Sequence, residues 1–584
     1  MSRKIAEITS MMVRDDESKW VSHLWDTYNQ QRRGKIDEWL ELRNYIFATD
    51  TSTTSNANLP WKNSTTIPKL CQIRDNLHSN YLSSLFPNDS WLRWQGYSLN
   101  DSVKSKADAI QAYMSNKCRE GHFRTEMSKL LYDFIDYGNA FATVVFEASY
   151  KELADGEVVP DFIGPKVVRL SPLDIVFNPL AATFKDSFKV VRSIKTLGEL
   201  KRLAETDPDQ RYWAAAIQRR EELRSRIGAY RPEDFDKATG YSVDGFGNLY
   251  EYYMGDFVEV LEFYGDYHDV KTGVLETDRI ITVVDRSITV RNEVIPSWFG
   301  HAPIYHVGWR FRPDNLWAMG PLDNLVGMQY RIDHLENLRA DAADLIVHPP
   351  LKIVGEVEQF VWAPGAEIHV PEGGDVGEVS KNLQGLIAAQ NDIQYYEDKM
   401  ELYAGAPREA MGIRTPGEKT ALEVQTLNNA AGRIFQEKIT SFEIELLEPT
   451  LNAMLETARR NMDGADVIRV MDDDLGVQEF LTITKSDITA NGKLRPVGAR
   501  HFAKQAQDLQ NAVSVFNSPI GQMIAPHTSS KSLVKFVEDV TGLAGYEIFR
   551  PNAAIFEQQE TQALINQAQE DLEVQNAMPG EGSV

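Results

Sequence analysis

The sequence predicts an α+β chain, and three observations carry that expectation. The first third repeats its apolar residues at helical spacing. The middle breaks into short β-branched and aromatic runs bounded by Gly, Pro and Asp. The helical period then returns, in unusually long segments, after residue 320.

Lys35–Phe47 places Ile36, Trp39, Leu40, Ile46 and Phe47 near one face of a helix. Ser64–Leu85 opens on Ser and Thr with Pro68 in its first turn, both helix-start signals. Its Leu70, Ile73, Leu77, Tyr81 and Leu85 follow at helical spacing. Helices are also expected over Asp101–Cys118 and Phe123–Tyr137, the second stopped by Gly138. The strand-like runs are Ala140–Phe146, Lys166–Leu170, Asp174–Phe177, Phe188–Ile194, Phe257–Tyr264 and Arg279–Val284. A charged helical segment, Thr196–Arg226, interrupts them, and the Gly- and Asp-rich Arg231–Asn248 reads as a loop.

Pro321–Val347 reads as one helix, about 40 Å long at 1.5 Å per residue. It carries Leu322, Leu325, Met328, Ile332, Leu335 and Leu338, with charges of alternating sign along the remainder, Arg331, Asp333, Glu336, Arg339, Asp341 and Asp344. Short strands separated by Pro and Gly follow, at Leu351–Val354, Gln359–Trp362 and Glu367–Val370. A helix returns over Asn382–Ala404, then a Gly/Pro loop, Gly405–Glu418. Lys419–Asn461 is a helix-like run of about 65 Å, with candidate kinks at Gly432 and Pro449. A helix of that length has to cross a large assembly or pack against neighbours. A β-like section, Val477–Thr482, precedes a helical C-terminal part. No Lys or Arg occurs after Arg550, so a solvated acidic tail is expected.

Composition narrows the function classes. The 584 residues allow several domains. Asp and Glu number 85 against 61 Lys and Arg, a net charge of −24, which argues against gripping nucleic acid over a large area. It does suit a surface past which a polyanion must slide, with a few cations at chosen points. No apolar stretch is long enough for a membrane helix, and residues Met1–Trp20 lack the apolar core of a signal peptide. A cytosol-like compartment is therefore expected, with no membrane partner. Cys71 and Cys118 fit no metal or redox spacing and are expected as buried free thiols.

The motifs that could carry chemistry are weak. Gly412–Thr420 resembles a phosphate-binding loop, but Glu418 stands between Gly417 and Lys419. That displaces the lysine and puts a negative charge where phosphates would sit, and the segment before it is helical rather than a strand. Asp472-Asp473-Asp474 lacks the Gly and Glu of a calcium loop and reads as a solvated turn. His301 with His306, and His334 with His348, lack zinc-helix spacing. No nucleophile elbow or Cys/His signature occurs. The expectation is no enzyme, no cofactor and no metal. More informative is an arrangement: two helices flanking a small β module, then a loop carrying Arg408 and Arg414 into a long helix opened by Lys419. Those three cations suit either transient contact with a moving polyanion or pairing with acids on a neighbouring chain.

The order of these pieces resembles the portal proteins of short-tailed bacteriophages, over roughly residues 30–520. Leu85-Phe86-Pro87 followed by Trp91-Leu92-Arg93 is similar to an early segment of that family. So are the turn Tyr137-Gly138-Asn139-Ala140, the stretch from Pro303-Ile304 to Gly320-Pro321, and Leu335-Glu336-Asn337-Leu338 at the entry to the stem helix. Arg414 through Val424 is similar to the family's tunnel loop running into its long helix.

The resemblance implies a portal fold. Its helical and β-rich wing would span 1–319, a two-helix stem 320–347 and 382–404, and a small α/β clip 348–381. A tunnel loop would occupy 405–418, a long kinked wing helix with its adjoining β section 419–496, and a helical crown with an acidic C-terminal tail 497–584. The clip would offer Lys352, Glu356, Glu358 and Trp362 to partners, and the tunnel loop would present Arg408, Arg414 and Lys419 to DNA. Implied partners are further copies of the chain in a ring of about twelve, double-stranded DNA in the channel, the terminase large subunit, the tail adaptor and tail proteins, and the major capsid or scaffold protein. Such a ring carries on the order of 290 negative formal charges. The implied location is a capsid vertex of the virion, after assembly in the host bacterial cytoplasm. Two rival readings remain: another virion structural protein such as an adaptor or scaffold, and a nucleotide-dependent packaging enzyme, which would need the sound phosphate loop that Glu418 spoils.

Overall fold

The computed structural model describes residues 16–496, apart from 60–61, 87–90, 97–100, 153–157, 207–216, 219–255, 270–272, 287, 296–301, 348–350, 356–369, 371, 379–383, 405–434, 463–464 and 472–477. Contacts group 1–85 with 92–496 as one compact unit, which holds every helix and strand named below. It is a mixed α+β structure.

Helix α1 (Asp16–Gln31) lies outside the helices read from the sequence. Its Val21 and Trp25 are fully buried on one face of a five-stranded antiparallel sheet. The sheet orders β4 (Ile175–Phe177), β5 (Lys189–Thr196), β6 (Phe257–His268), β7 (Leu275–Val284) and β8 (Ile288–Val294) side by side. Alternation along β6 decides its two faces. Leu261 and Phe263 meet α1, while Val258 and Val260 meet Leu200 of α6 (Leu197–Thr206), on the other face. The remainder of the segment expected as helix to Arg226, and the loop Arg231–Asn248, lie outside the described residues apart from two positions.

A helical layer covers the second sheet. Helix α2 (Arg33–Ile46) and α3 (Lys69–Leu85) precede a short strand β1 (Leu92–Gly96), then α4 (Asp101–Glu120) and α5 (Phe123–Asp136). Buried Leu77, Tyr81, Leu130 and Phe134 knit α3 to α5. The three-stranded sheet β3-β2-β9 comprises β2 (Asn139–Glu152), β3 (Val158–Leu170) and β9 (Ile304–Gly308). A hairpin of β10 (Arg310–Arg312) and β11 (Asn315–Met319) follows.

Helix α7 (Val326–Val347) and α8 (Gln384–Tyr403) pack together. Between them in sequence, β12 (Leu351–Val354) pairs antiparallel with β13 (Asp375–Glu378). The strand expected over Gln359–Trp362 lies outside the described residues, as does all but Val370 of that over Glu367–Val370; β13 is not expected from the sequence. The chain is helical again from 435 to 461, ending in α9 (Glu448–Asn461). It closes with β14 (Ala465–Met471) paired to β15 (Gln478–Thr484), the single turn α10 (Lys485–Ile488), and β16 (Gly492–Pro496). Strand β16 returns to pair with β1, Leu92 opposite Pro496.

Two helix starts differ from the sequence reading. The segment expected as helical from Ser64 is extended as far as residue 68, and α3 begins at Lys69. Pro68 biases the residue before it away from helix. The backbone N–H groups of Thr65 and Ile67 also find side-chain acceptors on α7. Likewise α7 begins at Val326, not Pro321. Leu322 and Leu325 are fully buried in the turn before it, which Asp323 fastens by accepting from the Gly320 N–H and from Lys35. Among the described residues no helix is long and apolar enough to cross a membrane.

Candidate functional site

The site is the α7–α8 pair, its hairpin, and the parts of the fold that hold its base. Residues 62–70 form an extended strap along α7. Its backbone is satisfied by a row of side chains four residues apart on that helix. Gln329 donates to the Ile67 carbonyl and accepts from the Leu70 N–H, at 2.5 and 3.2 Å. The second contact serves an N–H that the first turn of α3 leaves without a helical partner. Asp333 accepts from the Ile67 N–H at 3.1 Å and from the Thr66 hydroxyl at 3.0 Å. Asn337 exchanges two bonds with Thr65, both 2.8 Å, and Asp341 accepts from the N–H groups of Lys62 and Asn63.

The periods explain the fit. Four helical residues rise about 6.0 Å and two extended residues about 6.6 Å. Thr65 and Ile67 therefore meet Asn337 and Asp333, and Asn63 meets Asp341, in step. Gln329, Asp333 and Asn337 are buried, with Asp333 and Asn337 fully so. Burial pushes the Asp333 carboxyl up to about 6, against hydrogen bonds that favour its charged form. Asp341 is only partly covered, so its small burial cost is outweighed and the N–H groups of Lys62 and Asn63 hold its carboxyl below the usual range.

Helix α8 is fastened at the same place. Lys69 Nζ meets Glu401 Oε1 at 2.6 Å, with both side chains under one-tenth exposed. Lys69 is next to Leu70, the partner of Gln329, so the last turn of α8 lies beside the first turn of α7 and the helices run antiparallel. Burial then falls away from this base. Residues 344–347 of α7 are exposed, as are Ile387, Tyr395, Ile353 and Val354 farther from it. The pair thus leaves the core and carries large apolar side chains into solvent.

A second knot supports the base from below. Gly138 has φ +70°, and a Cβ there would come within 2.3 Å of the Gly320 nitrogen. Asn139, wholly buried, donates to the carbonyls of Tyr137 and Ala318 and accepts from the Ala318 N–H. Its Oδ1 also meets His306 Nε2 at 3.1 Å. Burial pushes His306 down to about 3, so the ring is neutral and donates here. The turn 137–140 and the stretch 303–320, singled out separately in the sequence, are one structural unit.

Residues 435–461, the described part of the run expected as one long helix, are anchored within the chain itself. Phe435 stacks on Tyr81 at 4.7 Å and Phe442 meets Phe134 edge-on at 5.3 Å. Leu446, Leu451, Met454 and Leu455 are buried, so this half spends its apolar face internally instead of leaving it for neighbours. A wide π-type turn, Glu443–Leu447, stands immediately before α9, whose second residue is Pro449. Such a turn gives the proline ring room that a regular turn denies it.

Of the site residues expected from the sequence, Lys352 is exposed on β12 opposite Gly377, and Pro449 lies in α9 as stated. Arg408, Arg414, Lys419, Gly432, Glu356, Glu358 and Trp362 lie outside the described residues, as do the triple aspartate 472–474 and residues 497–584. The sequence reading misses Gln329, Asp333 and Asn337 as a set. It counts Asp333 among alternating helix charges, yet Asp333 is buried. The signal present is carboxamides and a carboxylate at four-residue intervals, opposite a segment with Thr and Asn ending at proline. Among the described residues, no group of three or more His, Cys, Asp or Glu could hold a metal ion. No protein-family model matches the chain. No curated protein matches its sequence.

Proposed function

We propose that the chain is the portal subunit of a short-tailed bacteriophage, a structural ring component and DNA conduit rather than an enzyme. One observation supports this reading above the others. An antiparallel helix pair leaves the core with a small β hairpin between its members, and a buried polar row and a buried ion pair clamp its base. In this reading the pair is the stem and the hairpin belongs to the clip, the face offered to the terminase during packaging and to the tail adaptor afterwards. The apolar side chains exposed along the pair are then contacts between neighbouring copies. The net charge of −24 suits a channel wall that does not retain DNA.

Native mass spectrometry and negative-stain imaging of the purified chain test the reading. A ring of about twelve subunits with a central hole is expected. A monomer that persists under all conditions, even when coexpressed with capsid proteins, would sink it. A second test addresses the loop: replacing Arg408, Arg414 and Lys419 with Ala should leave rings intact and impair packaging or retention of DNA. Normal packaging would remove those cations as DNA contacts.

A further inference from the structure

A cleft of about 470 Å³, a size typical of ligand sites, lies between α2, α5 and the end of β3, and the helix pair makes no use of it. Its chemistry is set by α5. Asp133 and Asp136, one turn apart, are each closed by an arginine fork. Arg169 holds Asp133, with Nη2 at 2.7 Å, and Arg74 holds Asp136 at 2.7 and 2.8 Å. The guanidinium of Arg74 is also fixed over the Tyr132 ring, at 4.0 Å, and near the Phe47 ring, at 5.2 Å.

Two groups remain uncommitted. Arg43 is exposed on α2 and has no acid partner among the described residues. The Tyr137 hydroxyl lies close enough to Arg43, Arg169 and the two acids to feel all four, and makes no hydrogen bond to a described residue. Phe47, one turn beyond Arg43, is 58 % exposed at the rim. The other cations of the lining face acids: Arg169 meets Asp133, Arg74 meets Asp136, and Lys129 meets Glu126 at 2.6 Å, so Arg43 is the one lining cation without an acid partner among the described residues.

We infer that this cleft binds a singly charged carboxylate carried on a small aromatic or apolar body. Arg43 and the Tyr137 hydroxyl meet the oxyanion, and Phe47 covers the apolar part. One unpaired cation matches a carboxylate better than a doubly charged phosphate. The two locked forks keep Asp133 and Asp136 from repelling it. The same chemistry has two sources, a free small acid or an acidic residue beside an aromatic one on a partner protein. The inference is independent of the portal reading, since a ring can form whether or not the cleft is filled.

The test is calorimetric titration of the full chain with benzoate, with its neutral analogue benzyl alcohol, and with a tetrapeptide ending in Phe-Asp that is acetylated at its N-terminus and amidated at its C-terminus, so that it carries one carboxylate. Saturable binding of benzoate or peptide, with benzyl alcohol at least tenfold weaker, is expected, because one charge-assisted hydrogen bond is worth about 1.5–3 kcal/mol. Tighter benzoate assigns the free acid as the source, and tighter peptide assigns a protein partner. Arg43→Ala should weaken binding on the order of tenfold, with Arg43→Lys in between. Arg43 is exposed and unpaired, so both variants should keep the wild-type circular dichroism. The inference is overturned if neither acid saturates, if benzyl alcohol binds as well as benzoate, or if Arg43→Ala binds like wild type.

Discussion

Asn337→Ala is the sharpest probe of how the helix pair is held. Asn337 is fully buried and satisfies both backbone groups of Thr65, the N–H and the C=O, at 2.8 Å each. Truncation removes the partner of both at once, and because Thr65 is itself exposed, water takes part of the place of the lost carboxamide. Each lost bond is worth about 0.5–1.5 kcal/mol, so the strap should loosen by roughly 1–3 kcal/mol. The loss is local, and a chain with several cooperative parts has no single unfolding free energy. Site-resolved amide hydrogen exchange is therefore the assay. The Thr65 amide should exchange on the order of 10–10² times faster, at about 1.4 kcal/mol per decade. Amides of β6, in the separate five-stranded sheet, should be unchanged. A Thr65 rate within threefold of wild type, in a variant of normal circular dichroism, would refute the claim that Asn337 holds the strap.

Three further outcomes rest on the same geometry. Glu401→Gln leaves the buried Lys69 charge without its carboxylate and should cost about 3–5 kcal/mol, read as lost exchange protection in the last turn of α8, whereas Lys69→Met with Glu401→Met should recover most of it. Equal damage from the single and double variants would show that packing, not charge, decides this contact. Gly138→Ala forces a Cβ to 2.3 Å from the Gly320 nitrogen at φ +70° and should prevent accumulation of soluble chain; a soluble, wild-type-like variant would contradict the close approach. The Asp333 carboxyl is raised in the fold, so the folded state holds its proton more tightly than the unfolded chain. Its contribution is fully present below about pH 4 and is lost as pH rises through about 6, a change on the order of 3 kcal/mol. Protection of the Ile67 amide, corrected for intrinsic exchange, should fall across that window and become flat in Asp333→Asn. A flat wild-type profile would remove Asp333 as the group responsible.

Much of the architecture was legible because it rests on local period. Lys69–Leu85, Phe123–Asp136 and Gln384–Tyr403 announce themselves through apolar spacing, and the central strands through β-branched runs between turn residues. Helix α1 is not among the helices the sequence predicts, although Trp20, Val21, Leu24, Trp25 and Tyr28 repeat helically. Ser, His, Asp and Asn of weak helix propensity stand between them, and packing on the sheet supplies what propensity lacks. The short strands β1 and β16 pair across some 400 residues, a separation that no local window can reveal. The strap looks helical in sequence for a related reason. Its Ser64-Thr65-Thr66 resembles a helix cap, and only the distant side chains of α7 make the extended form preferable. The same distance hides the cleft, since Arg43, Tyr137 and Arg169 come from three separate segments.

The strap also has a mechanical meaning. Its bonds to Gln329, Asp333, Asn337 and Asp341 are spread along the axis of α7. A tug along that axis loads all of them together, so the joint resists in shear until it gives way as a whole. A tug that lifts the strap sideways from residue 62 loads them one at a time and opens them like a seam. The fastening is thus stiff along the helix and weak across it. Thrust applied at the hairpin end would pass down α7 into the α2–α5 layer without stretching the joint, while a sideways load would start at Asp341, the outermost and most exposed of the four.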